Sequence, residues 1–401
     1  MTENKIRIAF VNQRYGTEVN GGSEYYTMEL AEHLKDRYKV EVLTTKALGY
    51  DTWEDYYTED VEEIHGIKVR RFSVAHKRKT LEMKIWNKLH GILPIGKKFI
   101  ENKWIDAQGP YSPELIEYIR EKGNEYDIII FVTYLYYHAV RGIPEVADRA
   151  VLLPTAHDEP YIYYQIYKNI FELPKGMIYL TPEEKAFVEK HFNVSEKRNC
   201  IAGAGVEVPK NINNKNYREK YDVQDPYLIY VGRIDQSKGC DEMFRIFRRY
   251  KNEHPKDRLK LVLMGKNHME VPEDPDILYQ GFVSEEDKFS GISGAEALWL
   301  PSRYESLSIA VLESLALGRP VLVNGACEVL KGHCMRSNAG IFYENEEKGA
   351  EALTQVLKLA KENDISEKAT AYIKKNYQWN SILDRMEVLI DELVRNNKKM
   401  E

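Results

Sequence analysis

Residues 297–325, ALWLPSRYESLSIAVLESLALGRPVLVNG, decide the architecture. A short apolar run gives way to a polar loop, then to an apolar helix that closes at Gly318, and Arg319-Pro320 leads into a second apolar run. Strand, helix and strand in such quick succession make the crossover unit of a parallel sheet. Inside it, SRYESLSIAVLES (302–314) places Glu305 in the loop and Ser306 or Ser308 at the helix cap. Glu313 lies two turns further in, roughly 12 Å along at the standard rise. Its helical neighbours, three and four residues away, are Ile309, Ala310, Ala316 and Leu317. A helix this apolar all round belongs in a core, and a carboxylate buried there needs a partner. No Lys or Arg occurs at helical spacing. The partner comes from elsewhere in the fold or from a ligand, and a pair of ligand hydroxyls is the expectation.

The same alternation runs through the chain. KIRIAFVNQ, YKVEVLTT, YDIIIFV, RAVLLPTAH and KGMIYLTP read as strands of a first half, and PYLIYVGRI, LKLVLMG, ILYQGF, ALWLPS and RPVLVNG as strands of a second. Near-continuous apolar strands between amphipathic helices imply parallel sheets covered on both faces. The predicted fold class is α/β, two doubly wound domains facing across a cleft. Domain boundaries are expected at 1–208 and 209–379, with the polar segment 208–226 as linker and a final amphipathic helix, 380–401, packing back on the first domain.

Bulk properties narrow the function classes. The 401 residues suit two domains. A net charge of −6 argues against a general nucleic-acid binder, and no apolar run reaches the ~18–20 residues of a membrane span. The amino terminus shows no signal-peptide pattern, and Cys200, Cys240, Cys327 and Cys334 have no zinc-ligand spacing. A cytoplasmic protein with reduced thiols is expected. The tyrosines at 134–137 and 161–167 suit sugar-facing surfaces and ordinary interfaces alike, and select neither.

Chemistry in doubly wound sheets sits in loops at the carboxyl ends of strands. After the first strand, Gly21-Gly22 feeds a helix with Ser23 as the expected N-cap, and bare N–H groups there suit an anion. A flexible turn accounts for this stretch equally well, and the G-x-G-x-x-G fingerprint is absent. His157 follows another strand, beside Asp158 and Glu159; a surface hydrogen-bonder, a catalytic group and a weak metal ligand are all open readings. In YVGRIDQSKG, Arg233 and Lys238 precede a helix, between Gly232 and Gly239. Two cations at a helix entrance suit a diphosphate, with Arg as a fork and Lys as a point charge; a solvated loop is the plain alternative. Backbone N–H groups from Leu307 to Ala310 are available to phosphate.

Together, the glycine pair, the G-R-x-x-x-x-K-G loop and E-x7-E running into A-L-G-R-P-V resemble the retaining GT-B glycosyltransferases of family 4, a group that builds bacterial polysaccharides, lipopolysaccharides and glycolipids. The resemblance is strongest from Tyr230 to Val323. It implies a metal-independent, cofactor-free hexosyltransferase that moves a sugar from a UDP- or GDP-linked donor to a hydroxyl of a glycan or lipid-linked acceptor. It further implies that His157, Arg233, Lys238 and Glu305 are catalytic. Gly21 and Gly22 would approach the donor, Gly281 and Phe282 border the base, Ser306, Leu307, Ser308 and Ile309 offer backbone to phosphate, and Glu313 take the ribose. The family often has F-G where this chain has Ser306-Leu307, which leaves donor choice open. A nucleotide-sugar epimerase of the same fold, a phosphorylase and a non-catalytic sugar-nucleotide binder are the competing classes.

No metal site is predicted. Asp274-Pro275-Asp276 reads as a turn before a strand rather than a cation-holding D-x-D. Segment 76–104 carries eight Lys or Arg against Glu82 and Glu101, mixed with aliphatics and two tryptophans. It suits an interfacial element at an anionic membrane surface, on the inner face, or a solvated insertion packed on the first domain.

Overall fold

The computed structural model of the protein describes residues 5–19 and 21–397. The chain divides into two compact units, Met1–Ala202 with Leu383–Glu401, and Gly203–Ile382.

Unit 1 holds eight strands: β1 (Arg7–Val11), β2 (Lys39–Thr45), β3 (Val61–Ile64), β4 (Ile67–Phe72), β5 (Ile128–Val132), β6 (Ala150–Leu153), β7 (Gly176–Tyr179) and β8 (Arg198–Ile201). Their order across the sheet is β3-β4-β2-β1-β5-β6-β7-β8, and β3 alone runs antiparallel to its neighbour. The central strands are fully buried, Ile128 to Val132 without exception, because helices cover both faces. Unit 2 holds β9 (Tyr227–Val231), β10 (Lys260–Met264), β11 (Ile277–Gly281), β12 (Ala297–Leu300), β13 (Val321–Asn324) and β14 (Gly340–Tyr343) in the order β11-β10-β9-β12-β13-β14, all parallel. Counted within each unit, strand order runs outward from the first strand in both directions, except that β3 lies outside β4. Each sheet therefore has one point where the winding reverses: between β1 and β5, and between β9 and β12. Ligands of doubly wound sheets bind at such points.

Several local expectations change. The helix after β1, α1 (Gly22–Leu34), starts one residue before Ser23, so Gly21 is its N-cap and Ser23 lies in the first turn. There the Ser23 hydroxyl donates to Glu24 Oε2 at 2.8 Å instead of capping. The polar segment 208–226 contains a helix, Asn214–Lys220, capped by Asn213. This helix folds onto unit 2: Lys220 pairs with Asp287 at 2.7 Å, and the Asn213 N–H donates to Ser290 Oγ at 3.0 Å. Local polarity hid the one buried side chain, Tyr217, that anchors it. Asp274 makes the expected turn, its Oδ1 accepting the Asp276 N–H at 2.9 Å, and Lys260 and Lys251 bind the Asp276 carboxylate.

At the carboxyl end, the helix Trp379–Asn397 runs from unit 2 into unit 1; residues 398–401 lie outside the described set. Arg385 donates to the carbonyls of Ile201 and Ala202, each at 2.8 Å, tying this helix to the end of β8. Insertion 76–104 forms two helices, α2 (Thr80–Ile92) and α3 (Lys97–Gln108), packed as a hairpin.

Candidate functional site

In unit 2 the two loops that flank the reversal point are drawn together by a glycine. Gly239 has φ +77°, and a Cβ there would stand 2.6 Å from the Pro301 carbonyl oxygen. Only the bare backbone allows the β9 loop to lie against the β12 loop. As a result Lys238 Nζ sits 2.7 Å from Glu305 Oε1, sixty-seven residues away in sequence. Arg233 shares the Lys238 loop and is exposed, reaching only Asp235 at 3.8 Å and Ser237 Oγ at 3.5 Å. Its backbone is held from below by buried Tyr230, whose hydroxyl donates to the Arg233 carbonyl at 2.6 Å. Asp235 caps the short turn Gln236–Lys238 and so aims Lys238 upward from it.

The loop after β12 leads into the helix Ile309–Ala316. Ser308 is its N-cap, accepting from the Val311 N–H, in a left-handed conformation (φ 71°) unusual for a residue with a side chain. Gly318, at φ +71°, ends the helix as its sequence implied. Ser306, Ser308 and Ile309 are part-exposed at the helix start, while Leu307 is buried. The first helical N–H groups thus lie beside Glu305, where the helix dipole favours negative charge.

Glu313 overturns one expectation. Its carboxylate, 4% exposed, is held by Lys288 Nζ at 2.7 Å, from the helix Glu285–Ser293. The chain's own lysine therefore supplies a partner to Oε1. Helical spacing could not reveal it, because Lys288 arrives from a neighbouring helix twenty-five residues earlier. Burial pushes the Glu313 carboxyl up, and Lys288 pulls it back. Burial also opposes the lysine's charge, yet Glu313 and Glu285 together keep Lys288 above its usual range. Gly281 and Phe282 lie at the end of edge strand β11, away from the Lys238–Glu305 pair along the sheet; Phe282 is exposed.

In unit 1, a Cβ at Gly21 would fall 2.1 Å from the side-chain oxygen Glu24 Oε2, whereas one at Gly22 meets nothing. Glu24 is itself buried and bound by Arg14, with Gln13 Nε2 donating at 3.0 Å. His157 lies in the loop after β6, part-buried, its Nε2 3.6 Å from Glu159 Oε1.

Sequence reading missed the residues that hold these loops. Glu184 is fully buried in the first turn of the helix Pro182–His191; its two oxygens accept the N–H groups of Ala156 and Leu180, each at 2.6 Å. It thereby locks the backbone next to His157. Burial pushes its carboxyl up to about 8, against the pull of those N–H bonds. Thr181 and Glu184 stand at capping-box spacing in LTPEEK, which marks the helix start but not the long reach to Ala156. His333, also fully buried, holds the carbonyl of Leu307 at 2.8 Å through Nε2 and the Tyr372 hydroxyl at 2.9 Å through Nδ1. Burial lowers it to about 3, so it works as a neutral ring. Glu242 bridges Arg303 (2.8 Å) and Asn324 (3.0 Å) beneath the same loop. Tyr134, next to the reversal point of the first sheet, donates to Glu159 at 2.5 Å. A lone buried His or Glu has no local pattern to announce it.

Comparison with known proteins bears on the fold and on the family of the second unit. Residues 225–359 match the family model described as Glycosyl transferases group 1. The chain is 31% identical over 135 residues to the alpha-D-kanosaminyltransferase of Streptomyces kanamyceticus, covering 28% of this chain and 32% of that protein. It is 29% identical over 130 residues to an uncharacterized glycosyltransferase of Methanocaldococcus jannaschii, covering 29% and 33%. The matched segment thus spans about a third of the length of these curated relatives. Among solved structures, sucrose-phosphate synthase from Thermosynechococcus elongatus superposes with a TM-score of 0.68 at 16% identity, covering 98% of this chain and 100% of the other. Anabaena HepE in complex with UDP-glucose does so with a TM-score of 0.66 at 16% identity, covering 96% and 99%. The chain therefore carries a glycosyl transferases group 1 domain at 225–359 within the two-unit α/β fold of the GT-B glycosyltransferases.

Proposed function

We propose that the protein transfers a hexosyl group from a nucleotide diphosphate sugar to a hydroxyl of a glycan or lipid-linked acceptor, with retention at the anomeric carbon and without a metal ion. One observation carries this reading: Gly239 seated on Pro301 brings Lys238 to Glu305 at the reversal point of the second sheet, beside a helix N-terminus. UDP-glucose bound to a protein of the same fold supports a nucleotide-sugar donor.

In this reading the donor diphosphate draws Lys238 from Glu305, and Arg233 and the N–H groups of 306–309 take the rest of its charge. As the anomeric carbon–oxygen bond breaks, negative charge grows on the leaving phosphate, and these donors stabilise it. Preorganised stabilisation of that kind contributes several kcal/mol. The acceptor oxygen forms the new bond on the same face and gives its proton to the departing phosphate oxygen. Freed Glu305 binds sugar hydroxyls, and Gly281 and Phe282 border the base. Glu313 has Lys288 on Oε1, so a ribose would bind through the other oxygen.

A thermal-shift screen across UDP- and GDP-sugars, followed by titration of the best donor, tests the proposal. A stabilising donor whose binding and turnover collapse by two or more orders of magnitude in Lys238→Ala is the expected result. Unchanged melting with every nucleotide sugar, or near-normal turnover in that variant, would overturn it.

A further inference from the structure

The α2–α3 hairpin has two apolar faces, and only one is covered. On the inner side Met83 and Trp86 pack against the core of unit 1, Asn87 accepts from the Tyr164 hydroxyl at 2.9 Å, and His90 meets Glu101 at 2.8 Å. The outer side continues where an ordinary surface helix would turn polar: no residue of α2 is fully buried. Leu81, Lys84, Ile85, Lys88 and Ile92 follow one another at helical spacing along an exposed stripe. The stripe runs on through Leu93 and Ile95 at the turn and Phe99 at the start of α3. Leu81 is 77% and Ile95 80% exposed, and six of the exposed large apolar side chains among the described residues lie between 81 and 99. Single exposed apolar residues are ordinary, but a contiguous patch marks a binding surface.

We propose that this hairpin docks the protein on an anionic lipid bilayer, with Leu81, Ile85, Ile92, Leu93, Ile95 and Phe99 entering the headgroup–acyl boundary. Charge selects this occupant. Lys84, Lys88, Lys97, Lys98 and Lys103 make no ion pair among the described residues and alternate with the apolar positions. The centre of a protein–protein interface is depleted of lysine, and a second copy docked face to face would oppose these lysines to themselves. At a bilayer the two residue types separate by depth, apolar tips inward and ammonium groups at the lipid phosphates. No helix among the described residues is long and apolar enough to cross a membrane, so the hairpin, about 20 Å long at the standard helical rise, lies on the surface. Docking rests on the transfer reading only for the identity of the acceptor.

Sedimentation of the full chain with vesicles of phosphatidylglycerol or of phosphatidylcholine, at low and high salt, tests the proposal. Low-salt binding to the anionic vesicles alone is expected. The triple change Ile92→Ser, Ile95→Ser, Phe99→Ser should weaken it at least tenfold, while the exposed positions leave the melting temperature unchanged. Each lysine near such a surface strengthens binding about fivefold, so Lys84→Glu with Lys88→Glu should weaken it more than twentyfold. Three outcomes overturn the proposal: no sedimentation with anionic vesicles at low salt, equal binding by the triple variant, or a dimer abolished by that variant without vesicle binding. None of these needs donor or acceptor. Lys238→Ala should sediment like the parent, so failure of transfer and failure of docking are separately visible.

Discussion

At the scale of single residues, Glu313 shows how a correct local argument can miss the partner that packing supplies. Its apolar helical neighbours require burial, and burial requires a counter-charge; both requirements are met. Lys288 meets the second because the helix Glu285–Ser293 packs alongside, which no spacing rule on one helix can report. Removing one member of a buried pair leaves the other uncompensated, at a cost of about 3–5 kcal/mol in a dry site. Lys288 keeps 15% of its side chain in solvent and a second carboxylate, Glu285, at 2.8 Å. Glu313→Gln is therefore expected to destabilise unit 2 by less, about 1–3 kcal/mol in urea unfolding. If the ribose also binds there, donor affinity falls in the same variant by about tenfold or more. Unchanged donor affinity alongside the lost stability would restrict Glu313 to its internal pair.

At the scale of elements, the candidate site depends on two left-handed positions. Gly239 tolerates φ +77° and contact with the Pro301 carbonyl. Gly239→Val should separate the two loops, with a loss of turnover comparable to that of Lys238→Ala and a stability loss of about 2 kcal/mol or more. Retained activity would show that the loops do not need this contact. Ser308 is different: it caps its helix and is itself strained at φ 71°. Ser308→Ala loses the cap, about 1 kcal/mol, whereas Ser308→Gly relieves the strain and should leave the melting temperature nearly unchanged. The glycines, the loop cations and the first glutamate were legible because a turn residue before a helix leaves a mark within a few positions. Glu184 and His333 were not legible, since what they hold lies 28 and 26 residues away.

At the scale of the whole molecule, buried titratable groups set opposing dependences on pH. Glu184 keeps its proton in the folded state up to about 8, while in the unfolded chain it releases it near 4.5. Its contribution is fully present below 4.5 and is lost as pH rises toward 8. His333 and His138 are lowered by burial to about 3 and about 4, from an ordinary 6.5. Their contribution is present above 6.5 and is lost as pH falls through those lower values. The two windows overlap from 4.5 to 6.5, where two histidines outweigh one glutamate, so chemical unfolding between pH 4 and 9 should show a stability maximum near 6.5. Glu184→Gln should flatten the alkaline fall, and an unaltered slope there would remove Glu184 as its source.

The sequence by itself determined ten of the fourteen strands among the described residues, the parallel character of the two sheets apart from β3, and the loops in which Arg233, Lys238, Glu305 and His157 stand. Those features follow from hydrophobic period and turn chemistry, which act over a few residues. Tertiary structure alone decided which groups meet: Lys238 with Glu305, Lys288 with Glu313, Glu184 with Ala156, His333 with Leu307. It also decided that α2 leaves an oily stripe uncovered. Such meetings depend on packing between distant elements, where energy depends on distance in space and the chain's order carries no measure of it.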